Sequence, residues 1–505
     1  MRGTYRSSQL VAVSVQSSAL CESQSLLLRR ITSKENCINK TMTSIERQKS
    51  YIEGELTKVI LANNDEFLNC KLIQCEATTS PQLDGFMAII FKLNIVVQCQ
   101  KTLQEKCYDL IVKLMKGSHD FRMRSKSFIQ FGNEVYIYGR VIPTFGEFLA
   151  NRNTLICWEK WIPKVYYHFY GSVPELSLIP ESVLVLENIS PIGFRNPTSR
   201  LELWGEYHAL SYAMKLLNEE KLKELVDGIV PLCYQNEDNE ESIYDVMHKV
   251  GLTRLFGYLS RRPEVNTGNL REELEALRVK YFNCPTKLLD RLRDDDPPYS
   301  VIHHGDYNRN NVLFRYDNSE KPLEMRMIDF QEVRYGSPAF DLSFFLYMNT
   351  TTATREQSWM ELLRYYHTTL FRGLMEILQC DKLDERLKPF SFELFHRHFS
   401  RFAIYGVLIS AHFLPWMDCS EEECELLSNL FVQNMRSPEF FDICLTAGVR
   451  CLMKKFSVLS NMLVKWDICD FSLSSSGTKS PIQQGWDGIV TNNSRNILPT
   501  IYAAG

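Results

Sequence analysis

One short stretch of the chain places a histidine, an aspartate and an asparagine at the spacing H-x-D-x-x-x-x-N. These residues are His304, Asp306 and Asn311, and a second aspartate, Asp329, follows eighteen residues after the asparagine. Carboxylate and amide oxygens in this order can orient a hydroxyl group and hold magnesium against the terminal phosphate of ATP. The spacing therefore indicates phosphotransfer chemistry. The alternative interpretation is a polar turn between two strands, in which the aspartate is only a capping residue.

Apolar runs around these residues predict the strands that must position them. Residues 301–302 and 312–314 flank the loop, and residues 325–328 lead directly into Asp329. Short apolar runs bounded by polar loops are typical of buried strands. We therefore expect two strands to hold the loop rigid and a third to deliver Asp329 at its end.

A lysine lies inside another apolar strand. Residues 107–115 read as a strand that contains Lys113, and a charged side chain is costly there unless it is paired. The next predicted helix, residues 119–140, ends before Pro143 and carries Glu134 as the candidate partner. A strand lysine paired with a helix glutamate orients the lysine of kinases toward the α and β phosphates. The alternative is that both side chains face solvent.

The rest of the N-terminal half reads as one helix and a set of strands, with mostly helical sequence from residue 199 onward. A polar connector, Glu187 to Ile189, follows the last strand and is predicted as a hinge that meets the adenine ring. Ser80 and Gly85 belong to a candidate phosphate-binding loop, although that loop has one glycine and a plain hairpin would use the same residues. The helix is predicted over residues 43–62, and the strands over residues 67–77, 86–97, 164–170 and 182–187.

The amino-acid composition of the chain argues against some classes of function. With 505 residues, 45% of them hydrophobic, the chain can bury a large core in two or three units. A net charge of −4, with both signs interspersed, lacks the basic footprint of a nucleic-acid-binding protein. Fifteen cysteines without a C-x-x-C pair are typical of reduced thiols in a cytoplasmic protein. No apolar run approaches the roughly 20 residues of a membrane helix, so we expect no membrane partner.

The domain organisation follows from these patterns. Residues 1–41 are predicted to be a disordered or non-native extension, with a mitochondrial targeting segment as the alternative. Residues 42–190 would form a nucleotide-binding lobe that ends at the hinge, and residues 191–466 a helical lobe with the catalytic loop and the acceptor site. Residues 467–505 lack periodicity and are predicted to be a disordered tail.

Three segments together resemble the insect ecdysteroid kinase-like (EcKinase) family. They are residues 184–194, 304–311 and 329–345. The family is related to choline kinases and aminoglycoside phosphotransferases. The resemblance implies a bilobal, protein-kinase-like α+β fold, with a small antiparallel sheet in the N-lobe and a mostly helical C-lobe. It also implies phosphorylation, with ATP and Mg²⁺ as cofactors, of a hydroxyl on a small lipophilic molecule, with an ecdysteroid as lead candidate.

The resemblance also implies roles for individual residues. Asp306 would orient the substrate hydroxyl and accept its proton, and Asn311 and Asp329 would coordinate magnesium. Lys113 would contact the nucleotide phosphates and be braced by Glu134. The oligomeric state does not follow from the sequence.

Two further residues would support the catalytic loop, namely His304 and Asp341. The family usually carries a Gly-Asp-Asn or Gly-Glu-Asn triplet in its phosphate loop, where this chain has residues 83–85 as Leu-Asp-Gly. Gly305 replaces the arginine of the protein-kinase H-R-D motif, and Gln331 replaces the glycine of D-F-G, which argues against a protein substrate.

Two other functions remain open from the sequence. One is a detoxification kinase that acts on xenobiotic or plant-derived alcohols. The other is a catalytically silent protein that binds a ligand or a partner. The aromatic stretch at residues 390–417 could form a wall of the acceptor site, although aromatic residues at helical spacing are more often part of the core.

Overall fold

The computed structural model describes residues 44–446, except residues 80–86, 177–178, 196–204, 236–240, 260–270, 273–274, 277, 280–281, 293–295, 418 and 435. The predicted terminal extensions, residues 1–41 and 467–505, lie outside the described residues. So do Ser80 and Gly85, the two candidate residues of the phosphate-binding loop.

The first half of the described chain contains a five-stranded antiparallel sheet. Its strands are β1 (Cys70–Thr79), β2 (Ala88–Cys99), β3 (Glu105–Met115), β4 (Val165–Ser172) and β5 (Pro180–Glu187). Their order in the sheet is β1-β2-β3-β5-β4, so β3 lies at the centre. Within β3, Lys113 stands opposite Ile90 of β2 and Leu184 of β5. The predicted lysine-bearing strand is therefore the central one, where pairing on both sides holds its backbone rigid.

The predicted N-terminal helix covers one face of this sheet. It comprises α1 (Ser44–Tyr51), a π-helical turn (Ile52–Leu56) and α2 (Thr57–Asn63). Ile52, Leu56 and Ile60 are fully buried, at the helical spacing of one face, and pack in one cluster with sheet residues such as Phe91 and Ile95. Burial of this apolar stripe fixes the helix to the sheet.

The helical region after β3 differs from the prediction in two respects. It is divided into α3 (His119–Arg124) and α4 (Ser127–Tyr136) because Lys126 adopts a left-handed conformation with φ of 57°. It also continues through a π-helical turn (Ile137–Val141) into α5 (Ile142–Ala150), so the expected end before Pro143 was wrong. In the π-helical turn the amide of Ile142 bonds to Ile137, and Pro143 follows where the hydrogen-bond register changes, so its missing N–H is tolerated.

The second half is mostly helical, as predicted. Its helices are α6 (Gly205–Leu217), α7 (Glu219–Asp227), α8 (Ile243–Leu259), α9 (Thr286–Leu292), α10 (Ala339–Asn349), α11 (Thr352–Leu378), α12 (Phe392–Phe402), α13 (Ile404–Met417), α14 (Glu421–Gln433) and α15 (Pro438–Thr446). Residues 339–348 of α10 are all buried, which is typical of a helix at the centre of a core. In the described part of the chain, none of the helices has the length and apolar character needed to cross a membrane.

Short strands carry the H-x-D loop. β7 (Val301–His303) pairs with β10 (Arg334–Gly336), and β8 (Val312–Tyr316) lies between β6 (Phe194–Arg195) and β9 (Pro322–Met327). The three strands predicted around the loop are thereby confirmed. The predicted fold class is confirmed as well, because an antiparallel sheet in the N-terminal part is followed by a helical C-terminal part, in the manner of a bilobal kinase-like fold.

Candidate active site

Lys113 lies between two carboxylates that come from distant parts of the chain. Its Nζ is 2.9 Å from Oε1 of Glu134 on α4 and 2.8 Å from Oδ1 of Asp329 after β9. The lysine side chain is only 10% exposed and that of Glu134 only 1%. Burial alone would lower the pKa of Lys113, but the charges of Asp329 and Glu134 raise it above its usual value. The lysine therefore carries a positive charge that its two carboxylate partners hold in place.

Asp329 is held in an uncommon backbone conformation. Its φ of 67° lies in the left-handed region, which non-glycine residues seldom occupy. The next residue, Phe330, is fully buried and lies edge-on to Tyr138, with ring centroids 5.5 Å apart. The amide of Ile328 donates to the carbonyl of Asn311 at 3.0 Å. Packing of Phe330 and this backbone bond fix the turn that presents Asp329.

The carboxylate of Asp306 is oriented by two amide side chains of its own loop. Nδ2 of Asn308 donates to Oδ1 at 2.7 Å, and Nδ2 of Asn311 donates to Oδ2 at 2.8 Å. Burial and the nearby charges of Asp329 and Glu332 raise the pKa of Asp306 to about 7, although the two amides oppose this shift. A carboxyl group with a pKa near neutrality is suited to accept a proton from a hydroxyl group.

The backbone of the loop is held from behind by Asp341 on α10. Its carboxylate accepts the amides of His304 at 2.6 Å and Gly305 at 2.8 Å, and Nε2 of His208 donates to it at 3.2 Å. The ring of His304 donates from Nε2 to the carbonyl of Ile328 at 2.9 Å. Burial lowers the pKa of His304, so the ring is neutral. The structure places His304 and Asp341 on the loop backbone, where the expected supporting roles require them.

Gly305 is required by two features of its position. Its φ of 87° is left-handed, and a Cβ atom there would lie 1.8 Å from the carbonyl oxygen of Glu332. A side chain would therefore force the loop and the segment after Asp329 apart. This contact explains why glycine stands where protein kinases have arginine.

Two residues of the site, Asn308 and Glu332, were missed in the sequence. Asn308 lies among the unspecified positions of H-x-D-x-x-x-x-N, and its contact with Asp306 is a signal that only the folded structure supplies. Glu332 accepts a hydrogen bond from Nε2 of Gln130 on α4 and lies 2.8 Å from the guanidinium of Arg334. In the sequence, the one signal for Glu332 was its position three residues after Asp329. A turn at that point brings residue 332 back toward the loop that contains Asp306.

The oxygen atoms present suit magnesium better than a transition metal. Among the described residues there is no cluster of three or more His, Cys, Asp or Glu side chains that could hold a metal. Asn311 donates to Asp306 through Nδ2, and Asp329 accepts from Lys113 through Oδ1, so neither bond uses Oδ1 of Asn311 or Oδ2 of Asp329. Magnesium typically binds one or two protein carboxylates together with phosphate oxygens and water, which matches such a sparse set.

The predicted hinge follows the last strand of the sheet directly. The amide of Glu187 donates to Lys164 and that of Asn188 donates to Asp109, at 2.8 and 2.9 Å. Within the described residues, the buried Ile189 has no hydrogen-bond partner for its amide. Of the three amides at residues 187–189, that of Ile189 is therefore the one without a backbone acceptor in the described part of the chain.

The aromatic stretch at residues 390–417 contributes chiefly to the core, which was the favoured interpretation of its helical spacing, with an acceptor wall as the alternative. Four of its side chains are buried in the main hydrophobic cluster, namely Phe395, Phe399, Phe402 and Tyr405. Phe413 is only partly buried and packs near Phe344, with ring centroids 6.0 Å apart. The core interpretation therefore holds for these four side chains.

Comparison with known proteins finds one family. A sequence profile of the ecdysteroid kinase-like family matches residues 82–379, which is more than half of the chain. No curated protein matches the chain. Among solved structures it is similar to the microcompartment-associated aminopropanol kinase, at 10% sequence identity, over 82% of this chain and 98% of that protein, with a TM-score of 0.32. The range matched by the family includes both halves of the candidate site, from Lys113 to Asp329.

Proposed function

Because the chain belongs to the ecdysteroid kinase-like family, and hence to the small-molecule kinases in general, we propose that it transfers the terminal phosphate of Mg-ATP to a hydroxyl of a small lipophilic metabolite. The single observation that carries this proposal is the position of Lys113, which bridges Glu134 and Asp329 at 2.9 and 2.8 Å. The bridge joins the central strand of the sheet to the segment that follows the catalytic loop. A lysine held at this junction suits the phosphates of a nucleotide.

In the proposed mechanism, the residues of the site position groups and carry charge. Lys113 contacts the nucleotide phosphates, and Glu134 keeps its side chain oriented. Asn311 and Asp329 would hold the magnesium ion, which would supply charge neutralisation together with ATP. Asp306 orients the acceptor hydroxyl and takes its proton, supported by its pKa of about 7. Most of the rate enhancement then comes from positioning and electrostatic stabilisation.

The adenine ring is assigned to the hinge. We propose that the amide of Ile189, next to Glu187 at the end of β5, donates a hydrogen bond to it. The support is that the amides of Glu187 and Asn188 already donate to backbone carbonyls. Ser80 and Gly85 remain proposed phosphate-loop residues on the sequence alone.

An ecdysteroid is the first acceptor to test, and its support is the family. The full chain would be incubated with Mg²⁺ and γ-labelled ATP against ecdysteroids, choline-like alcohols and plant glycosides, with Asp306→Asn as the matched control. Label on an ecdysteroid that disappears in the variant supports the whole proposal. Label only on plant-derived alcohols replaces the acceptor with a detoxification substrate. No transfer and no ATP hydrolysis by the folded protein would favour a silent binder.

A further inference from the structure

The helix that carries Glu134 presents a row of polar side chains to the C-terminal half of the chain. The row consists of Lys126, Gln130, Asn133, Tyr136 and Arg140. Gln130, Asn133 and Tyr136 lie three residues apart on one face of α4, whereas Lys126 precedes the helix and Arg140 lies in the π-helical turn after it. Each of these side chains contacts a residue numbered above 220, so this face of α4 and its extension is bound to the other half of the molecule.

Asn133 lies at the centre of the row and makes a reciprocal pair of hydrogen bonds. Its Nδ2 donates to the carbonyl of Val230, and the amide of Val230 donates back to its Oδ1, both at 2.9 Å. Asn133 is only 2% exposed. A buried side-chain amide that bonds to both the N–H and the C=O of one residue fixes the distance between the two segments and also their relative orientation.

Most of the other contacts fall on the same stretch of chain. Nζ of Lys126 donates to the carbonyl of Gln235 at 2.9 Å, and the hydroxyl of Tyr136 donates to the carbonyl of Leu225 at 3.2 Å. A Cβ atom at Gly228 would lie 2.2 Å from the Tyr136 hydroxyl. Only glycine at this position therefore allows α4 and the segment that contains Gly228 to approach so closely. We call residues 219–235 the α4-binding segment; they comprise α7 and the loop that follows it.

We propose that the α4-binding segment holds Glu134 against Lys113, with Asn133 as the positioning residue. Glu134 immediately follows Asn133 on α4, so a movement of the helix away from Val230 also withdraws the carboxylate from the lysine. Asp341 follows Asp329 by only twelve positions, which leaves no room for a long activation segment; this short segment contacts α4 through Glu332, which accepts a hydrogen bond from Gln130. The ion pair is thereby assembled by the fold itself. The contact of Lys113 with nucleotide phosphates rests on the proposed function, whereas its ion pair with Glu134 does not.

The test uses the full chain and two readouts that need neither substrate nor activity. Amide hydrogen exchange reports local opening of α4, and the rate at which an amine-reactive ester labels Lys113 reports loss of its ion pairs. Asn133→Ala removes both bonds to Val230, and we expect exchange in residues 127–136 to accelerate roughly 5- to 100-fold. Labelling of Lys113 should accelerate at least about fivefold, because the lysine loses a partner that keeps it protonated and buried.

The matched control is Arg140→Ala, at the exposed end of the same row. Its ion pair with Glu224 is about half exposed on both sides and should change either readout less than about threefold. If Asn133→Ala does not fold, Tyr136→Phe removes one hydrogen bond with little change in shape and should accelerate both readouts about two- to tenfold.

The possible results of this experiment lead to different conclusions about the α4-binding segment. Faster exchange together with faster labelling of Lys113, in Asn133→Ala but not in Arg140→Ala, supports the positioning role. Faster exchange in α4 with unchanged labelling of Lys113 overturns it, because the segment would then stabilise the helix without acting on the lysine. Unchanged exchange overturns it as well. If the wild-type chain bound no Mg-ATP, the proposed function would fail, while these two readouts would still decide the role of the α4-binding segment.

Discussion

The replacement Asp306→Asn should abolish phosphotransfer and, at the same time, change how the stability of the fold depends on pH. Removal of the group proposed to orient the hydroxyl and accept its proton is expected to lower kcat by roughly 100- to 10,000-fold. The effect on stability is independent of catalysis. It follows from the raised pKa of Asp306, so it tests the geometry of the site directly.

The sign follows from proton linkage. The pKa of Asp306 rises from its ordinary value of 3.8 to about 7 on folding, so between these values the folded protein binds more protons than the unfolded chain. Asp306 therefore makes the wild type progressively less stable as the pH rises from about 4 to about 7. A shift of about three pH units corresponds to about 4 kcal/mol. Because Asp306 is partly exposed, water screens its charge, and we expect a change of about 1–2 kcal/mol.

The measurement is the free energy of urea unfolding at pH 5.0 and pH 8.5, in EDTA, for both proteins. The stability of Asp306→Asn relative to the wild type should increase by about 1 kcal/mol between the two pH values, because about two thirds of the window from pH 4 to pH 7 lies above pH 5. The replacement also places an amide next to Asn308 and Asn311, and the free energy that this costs does not depend on pH. The difference between the two pH values therefore does not contain it. A relative stability that is the same at both pH values would show that Asp306 ionises normally, and the argument from burial and neighbouring carboxylates would be refuted.

Three further replacements test the contacts around the loop. Lys113→Met leaves the carboxylates of Glu134 and Asp329 without their cation and should reduce stability by about 3–5 kcal/mol in urea unfolding; a loss below about 1 kcal/mol would contradict the buried ion pair. Gly305→Ala should reduce stability by at least about 2 kcal/mol by the same measurement, because its φ is left-handed and its Cβ has no space. Asp341→Asn sets an amide donor against a backbone donor and should lower kcat about 10- to 100-fold in the phosphotransfer assay, with the KM for ATP nearly unchanged; a change confined to KM would contradict its role in holding the loop.

Much of the fold was predictable from local patterns, and the errors have local causes. The strands around the H-x-D loop were identified because a short apolar run between polar loops is too short for a typical helix and suits a buried strand. The end of the helix before Pro143 was wrong because a proline normally ends a helix, and the π-helical turn before it is not visible in the sequence. The break at Lys126 was missed for a similar reason, since a lysine carries no signal for a left-handed conformation.

The chemistry of the site was readable from the sequence because residue types and spacing within one loop are local properties. H-x-D-x-x-x-x-N, the later Asp329, and a lysine inside an apolar strand indicated phosphotransfer before any contact was known. The tertiary structure alone decided which groups meet. Lys113 and Asp329 are 216 positions apart and still form a contact of 2.8 Å. Asn133 and Glu332 also acquired partners only through folding, because a hydrogen bond between distant segments depends on the packing of whole elements and leaves no periodic trace in the chain.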